Sequence, residues 1–179
     1  MPPSKCALLV IDLQVGMFDG VREPPLDDHE RLLARAKALI AWARERGHAV
    51  AFVRHDGAPG DGLAPGAPGW PVEPRLGQKT DEPTFAKSVG DAFSNPQLQA
   101  WLRERNVEAV ILAGAQTDQC VKASLDGALR CGFGVTLASD AHGTWPWNGE
   151  TAPQIIARHN ALFAETGAKV ATTAQIVAV

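Results

Sequence analysis

The 179-residue chain has only three cysteines, Cys6, Cys120 and Cys131. An odd count without metal-ligand spacing excludes a disulfide framework and points to a reducing, cytoplasmic setting. Long apolar runs are missing as well. No stretch approaches the roughly 18 consecutive apolar residues that cross a bilayer, so no membrane partner is expected. Positive charge is not in excess: 17 Lys and Arg stand against 20 Asp and Glu, a net charge of −3. Scattered basic residues give none of the stripe that nucleic acid requires. The opening Met-Pro-Pro-Ser-Lys-Cys runs directly into a strand pattern, so no signal peptide is expected. No Gly-x-Gly-x-x-Gly follows a strand, since Gly16 and Gly20 are too few and too far apart. A phosphate-binding loop and a Gly-x-Ser-x-Gly nucleophile elbow are also lacking. These absences leave no cofactor motif and point to a small-molecule substrate.

What is present is ordinary in bulk and informative in order. Apolar content of 45% and charge of 21% suit a globular protein. The length, with no repeats, low-complexity segment or linker, suggests one domain over 1–179. Ala7 to Ile11 is a continuous apolar run ending in Asp12, the pattern of a central parallel strand. Asp28 to Gly47 reads as an amphipathic helix with Leu32, Leu33, Ala36, Leu39, Ile40 and Ala43 as its apolar stripe. An Asp is available as N-cap, and Gly47 takes the C′ position. His48 to Val53 is a second strand. Residues 56–74 hold five prolines and five glycines, and so form a long irregular loop of the kind that is often functional. Pro83 to Lys87 reads as a short strand, and Ser94-Asn-Pro opens a helix carrying Leu98, Trp101 and Leu102. Val107 to Ala113 and Gly134 to Ala138 are strands, Thr151 to Glu165 a helix, and Lys169 to Ala171 a last strand. The alternation predicts an α/β fold: a three-layer αβα arrangement with a mostly parallel, Rossmann-like sheet of about six strands and helices on both faces.

Cys120 lies where a strand pattern, Ala109 to Ala113, gives way to helical spacing at Val121, Ser124, Leu125, Ala128 and Leu129. At such a junction unpaired N–H groups and the helix dipole favour thiolate over thiol. Ligands of an open parallel sheet sit beyond the carboxyl ends of its strands. Asp12, Lys87 and Cys120 all fall there. The three make a workable covalent catalyst: the ammonium steadies the thiolate, the carboxylate takes and returns the proton, and N–H groups near Gln116 and at Cys120 hold an oxyanion. Each also has a plainer reading, as a core-filling thiol, a loop-capping Asp and a solvated Lys.

Four segments narrow this. Ala7-Leu-Leu-Val-Ile-Asp-Leu-Gln-Val-Gly-Met-Phe18, Phe85-Ala-Lys-Ser-Val-Gly-Asp-Ala-Phe93, Gly114-Ala-Gln-Thr-Asp-Gln-Cys-Val121, and Ser139-Asp-Ala-His142 with His159-Asn160 occur in that order. Together they resemble the isochorismatase-like cysteine hydrolase superfamily, which includes nicotinamidase and N-carbamoylsarcosine amidase. The resemblance covers nearly the whole chain. It implies that Asp12, Lys87 and Cys120 are a catalytic triad acting on a small amide or carbamoyl C–N substrate through a thioester. It implies a non-proline cis peptide at Ala115–Gln116 that turns N–H groups toward the oxyanion. Gln14 is then a supporting residue near the strand end and Asp140 a structural cap. A homo-oligomer, dimer or tetramer, is implied too. An isochorismatase-type ether hydrolase and a non-catalytic thiol redox or binding protein are the rival readings.

Nicotinamidases of the superfamily carry a metal site of Asp-x-His plus a further His. Here Val53-Arg-His-Asp-Gly57 lacks the Asp two residues before His55, and no other His falls between His55 and Cys120, so no metal is expected. His55 either faces the substrate or caps its strand. Asp140 and His142 form an acid–base pair or point apart. Trp42 and Trp101 belong to helix packing. Trp70, Trp145 and Trp147 lie in loops, where they line a pocket or interface or else pack the loops down. Phe18 is close enough to Asp12 to reach the same pocket. The expected substrate-binding set is Phe18, His55, Trp70, Gln116 and Trp145.

Overall fold

The computed structural model describes residues 5–179; the first four, on which the signal-peptide expectation partly rests, lie outside the described residues. Six parallel strands form one sheet: β1 (Cys6–Ile11), β2 (Ala49–His55), β3 (Thr84–Lys87), β4 (Ala109–Ala115), β5 (Gly134–Gly143) and β6 (Lys169–Ala171). Their spatial order is β3-β2-β1-β4-β5-β6. The chain grows outward from β1 in one direction and from β4 in the other. The crevice between those two strands, at their carboxyl ends, is where such a sheet binds ligands.

Parallel strands covered on both faces need apolar side chains on both, which is why β1 and β4 read as unbroken apolar runs. Leu8 and Val10 face a core built with α1 (His29–Glu45) and α5 (Thr173–Val177). Ala7, Leu9 and Ile11 face the other core, with α2 (Pro96–Glu104), α3 (Lys122–Arg130) and α4 (Ala152–Glu165). Leu8, Leu9 and Ile11 are fully buried, each worth about 1.5–3 kcal/mol of burial. The six stripe positions of α1 are all buried.

Three local readings need correction. Asp28 precedes α1 but its side chain makes no capping bond; it pairs instead with Arg31 at 3.3 Å. β5 runs five residues past Ala138, because the register slips between Leu112 and Gly114 and then resumes at Gly114–His142. α5 was not foreseen; five residues are too few for a periodic signal. Thr172 caps it in a capping box with Gln175, and Asp140 adds a bond from the Thr173 N–H at 2.6 Å.

Candidate active site

Four side chains reach one spot from four neighbouring chain segments. Asp12 directly follows β1, His55 ends β2, Lys87 ends β3, and Cys120 lies in a π-helical turn, Thr117–Val121, that leads from β4 into α3. His55 and Lys87 are register partners, so both project to the face that carries Val53 and Phe85. Strict alternation would send Asp12 to the face opposite Ile11. Its backbone is left-handed instead (φ 51°), which breaks the alternation and lets the carboxylate meet Lys87. Asp adopts this region more readily than most residues because its short side chain bonds locally.

The Lys87 ammonium is the hub. Nζ lies 2.7 Å from Asp12 Oδ2, 3.2 Å from Cys120 Sγ and 3.3 Å from His55 Nδ1. An ammonium has three N–H donors and no acceptor, so each proton has one partner. His55 then accepts at Nδ1 and carries its own proton at Nε2. Lys87 and Asp12 side chains are 0% and 1% exposed. Asp12 Oδ1 is buried with no partner. Burial pushes the Asp12 carboxyl above its ordinary value, and Lys87 opposes the rise through its charge and hydrogen bond. Burial, and then the Asp12 charge, push the Cys120 thiol up to about 12, again against Lys87. The expectation of a resting thiolate therefore gives way to a protonated thiol beside a carboxylate with raised proton affinity.

Supporting contacts hold these groups in place. Gln14, fully buried, donates from Nε2 to the His55 and Trp70 carbonyls and accepts from the His55 N–H at 2.9 Å. The Ala115–Gln116 peptide is cis. Just before it, Gly114 runs at φ 144°, and a Cβ there would stand 2.0 Å from the Ile11 carbonyl oxygen. Glycine is the residue that lets β4 come this close to β1. Behind the turn, Thr117 Oγ1 lies 2.8 Å from His142 Nδ1, and His142 Nε2 lies 2.9 Å from Asn160 Oδ1. Asn160 donates its amide to Ser139 O, so its oxygen accepts from His142 Nε2–H, and Nδ1 accepts the Thr117 hydroxyl proton. Burial lowers the His142 pKa to about 4, and the ring stays neutral. Asp140 turns to α5 and to Arg35; it and His142 share no hydrogen bond and are no acid–base pair.

A cavity of about 820 Å³ opens over the cluster, with Asp12, His55, Gln116, Cys120 and Trp145 in its wall. A second, of about 650 Å³, shares Met17, Glu23, Asp61, Leu63, Gln116 and Trp145 with it. Over this geometry the isochorismatase domain model matches residues 6–175.

The chain belongs to the isochorismatase domain family.

Among its relatives, a streptothricin hydrolase of Streptomyces noursei is 37% identical over 143 residues, covering 78% of this chain and 50% of the relative. Escherichia coli nicotinamidase is 28% identical over 180 aligned positions, 78% of this chain and 83% of the relative. The chain thus spans about half the length of the streptothricin hydrolase. In solved structures, an isochorismatase-type hydrolase from Oleispira antarctica superposes with a TM-score of 0.91 at 26% identity, over 100% of this chain and 99% of the other.

Within this family frame the structure corrects two of the expected pocket residues. Phe18 is absent from both cavity walls. It is 6% exposed in the α1-side core, edge-on to His29. Trp70 also lines neither cavity. Its ring lies under the Arg54 guanidinium at 3.6 Å, and Nε1 donates to Asp56 at 2.8 Å. Both rings pack loops onto the sheet, the plainer of the two readings. Trp145 does line both cavities, tied by Nε1 to the Pro24 carbonyl, and Trp147 lines the catalytic one. His55 both ends its strand and faces the cavity. Met17, Leu63, Asp118 and Thr144 were not anticipated in the walls. Met17, one residue before the aromatic that drew attention, was hidden because a loop has no periodicity to say which side chain turns inward.

Among the described residues, one cluster could offer three metal ligands: Asp12, His55 and Cys120. All three are hydrogen-bonded to the same ammonium, which places a positive charge among the donors that a cation would use. The residues fit a lysine-centred site better than a metal-centred one.

Proposed function

We propose that the chain is a cysteine hydrolase that cleaves a C–N bond in a small amide or carbamoyl substrate without a metal. The observation that carries this reading is the single buried ammonium shared by Asp12, Cys120 and His55 at the floor of a substrate-sized cavity. Kinship to an enzyme named nicotinamidase supports an amide as the bond class.

In the proposed cycle, Cys120 Sγ attacks the substrate carbonyl carbon, and the thiol proton passes to Asp12, through the otherwise unpartnered Oδ1. The negative charge develops on sulfur and then on the carbonyl oxygen, beside the Lys87 ammonium. Backbone N–H groups at Gln116 and Cys120 face the oxyanion. Collapse of the tetrahedral adduct breaks the C–N bond, and Asp12 returns its proton to the departing nitrogen. A thioester remains. Water then attacks the acyl carbon, gives a proton to Asp12, and releases the acid while the proton returns to Sγ. A thiol held protonated requires this kind of general base.

A panel of primary amides, carbamoyl amino acids, ureides and vinyl ethers, assayed for ammonia or pyruvate release, tests the reading. Ammonia release that survives a chelator and vanishes in Cys120→Ser is expected. Pyruvate release alone would transfer the chain to the ether hydrolases, and turnover that survives in a folded Cys120→Ser protein would refute the nucleophile.

A further inference from the structure

The wall of the catalytic cavity is acidic in a way the proposed chemistry does not use. Glu23, Asp61 and Asp118 line it together with Asp12, and no Lys or Arg does. The Lys87 ammonium is fully buried and paired with Asp12. None of the three outer carboxylates has an ion-pair partner among the described residues. Asp118 Oδ1 accepts from Thr144 Oγ1 at 2.8 Å, and Asp61 Oδ1 from the Leu63 N–H at 2.7 Å. These bonds fix the carboxylates without neutralising them. Glu23 and Asp61 also border the adjoining cavity, whose one basic side chain, Arg22, donates to the Gly60 carbonyl. The floor of the cavity carries Asp12 Oδ1, buried and without a hydrogen-bond partner, which the proposed cycle already uses for the thiol proton. A separate observation is Trp147, 74% exposed and lining the same cavity. An indole beside carboxylates is a surface that a cation recognises by both its charge and its π face.

We propose that the substrate is a cationic amide, one whose carbonyl lies at Cys120 and whose ammonium or guanidinium group rests among Glu23, Asp61 and Asp118. The claim rests on the hydrolase reading above and specifies its substrate class. Low-dielectric walls carrying one sign of charge concentrate ligands of the opposite sign and repel like charge. An anionic amide would enter against three carboxylates without ion-pair partners, with no Lys or Arg in the wall to receive it.

The test compares three amides of matched length: δ-aminovaleramide with a terminal ammonium, hexanamide with a methyl in its place, and adipamic acid with a carboxylate. Binding is measured by calorimetry on Cys120→Ala protein, so that it is read whether or not these amides are turned over, and kcat/KM is measured on the wild type. The ammonium amide is expected to bind at least about tenfold tighter than hexanamide, and adipamic acid weakest. Because the outer carboxylates meet solvent, the preference should shrink as salt rises. In Glu23→Lys and in Asp61→Asn/Asp118→Asn proteins the ratio of cationic to neutral affinity should fall about tenfold, a ratio that a general loss of folding would not move. Equal binding of all three amides, or tighter binding of adipamic acid, overturns the charge assignment and leaves the nucleophile untouched. If the cationic preference holds while wild-type protein releases no ammonia from any of the three, the cavity assignment stands and the hydrolase reading is the one that suffers.

Discussion

Two polar clusters flank the turn that carries Cys120, and they differ in one respect. On one side, every polar side-chain atom of the Thr117–His142–Asn160 chain has a hydrogen-bond partner, with both imidazole nitrogens bonded. On the other, the Asp12–Lys87–Cys120–His55 group leaves Asp12 Oδ1 unpartnered in a buried position and opens Cys120 to a cavity. A satisfied buried network fixes geometry. A buried group left short of a partner is costly unless something arrives to complete it, and here a proton in transit would do so. Both clusters contain a histidine at or near a strand end. Only the state of the hydrogen bonds tells scaffold from chemistry.

Replacing the sulfur tests the reactive side most severely. Cys120→Ala should lower kcat by about a thousandfold or more while the urea midpoint stays near that of the wild type. Lys87→Met comes next. It removes the counter-charge from a buried carboxylate and should cost about 3–5 kcal/mol of stability in addition to activity, read by chemical denaturation.

His142 sharpens the contrast from the satisfied side. Its pKa is lowered from 6.5 to about 4, so the native ring stays neutral while the unfolded chain takes up a proton as pH falls. The associated stability is complete above pH 6.5 and is lost as pH drops toward 4, at about 1.4 kcal/mol per unit. His142→Gln should flatten that part of the stability–pH curve, and should lower activity only moderately, about tenfold, through displacement of Thr117. The smallest effect belongs to the loop aromatics. Trp70→Phe removes the Asp56 hydrogen bond and should cost about 1 kcal/mol with KM nearly unchanged; a large rise in KM would return Trp70 to the substrate wall.

How legible these features were follows from how local each signal is. The α1 stripe and the β1 and β4 runs announce themselves because burial of a whole face repeats along each element, and the α1 stripe, Ala7 to Ile11 and Val110 to Ala113 are all buried. Asp12, Lys87 and Cys120 stood out by sitting at the ends of such runs. The meeting of Lys87 with His55 depends on the register of β2 and β3, a long-range property that no window of residues contains. Phe18 and Trp70 were misplaced for the same reason, since an aromatic in a loop carries no periodicity to say whether it faces a cavity or the sheet. The tail of β5, Ser139 to Gly143, mixes polar and small residues across a register slip and so resembles a loop. The outer carboxylates belong to segments far apart in sequence and became one wall only on folding.

The central claim is that sulfur, ammonium and carboxylate form one charge-coupled unit. The labelling rate of Cys120 by iodoacetamide across neutral to alkaline pH tests it most directly, because it needs no substrate. Since the Asp12 charge raises the thiol's proton affinity and Lys87 lowers it, Asp12→Asn should label faster than wild type near neutrality, although it cannot turn over, and Lys87→Ala should label more slowly. Shifts of opposite sign from the two variants are what the account predicts. Rates that move together, or do not move, would contradict it.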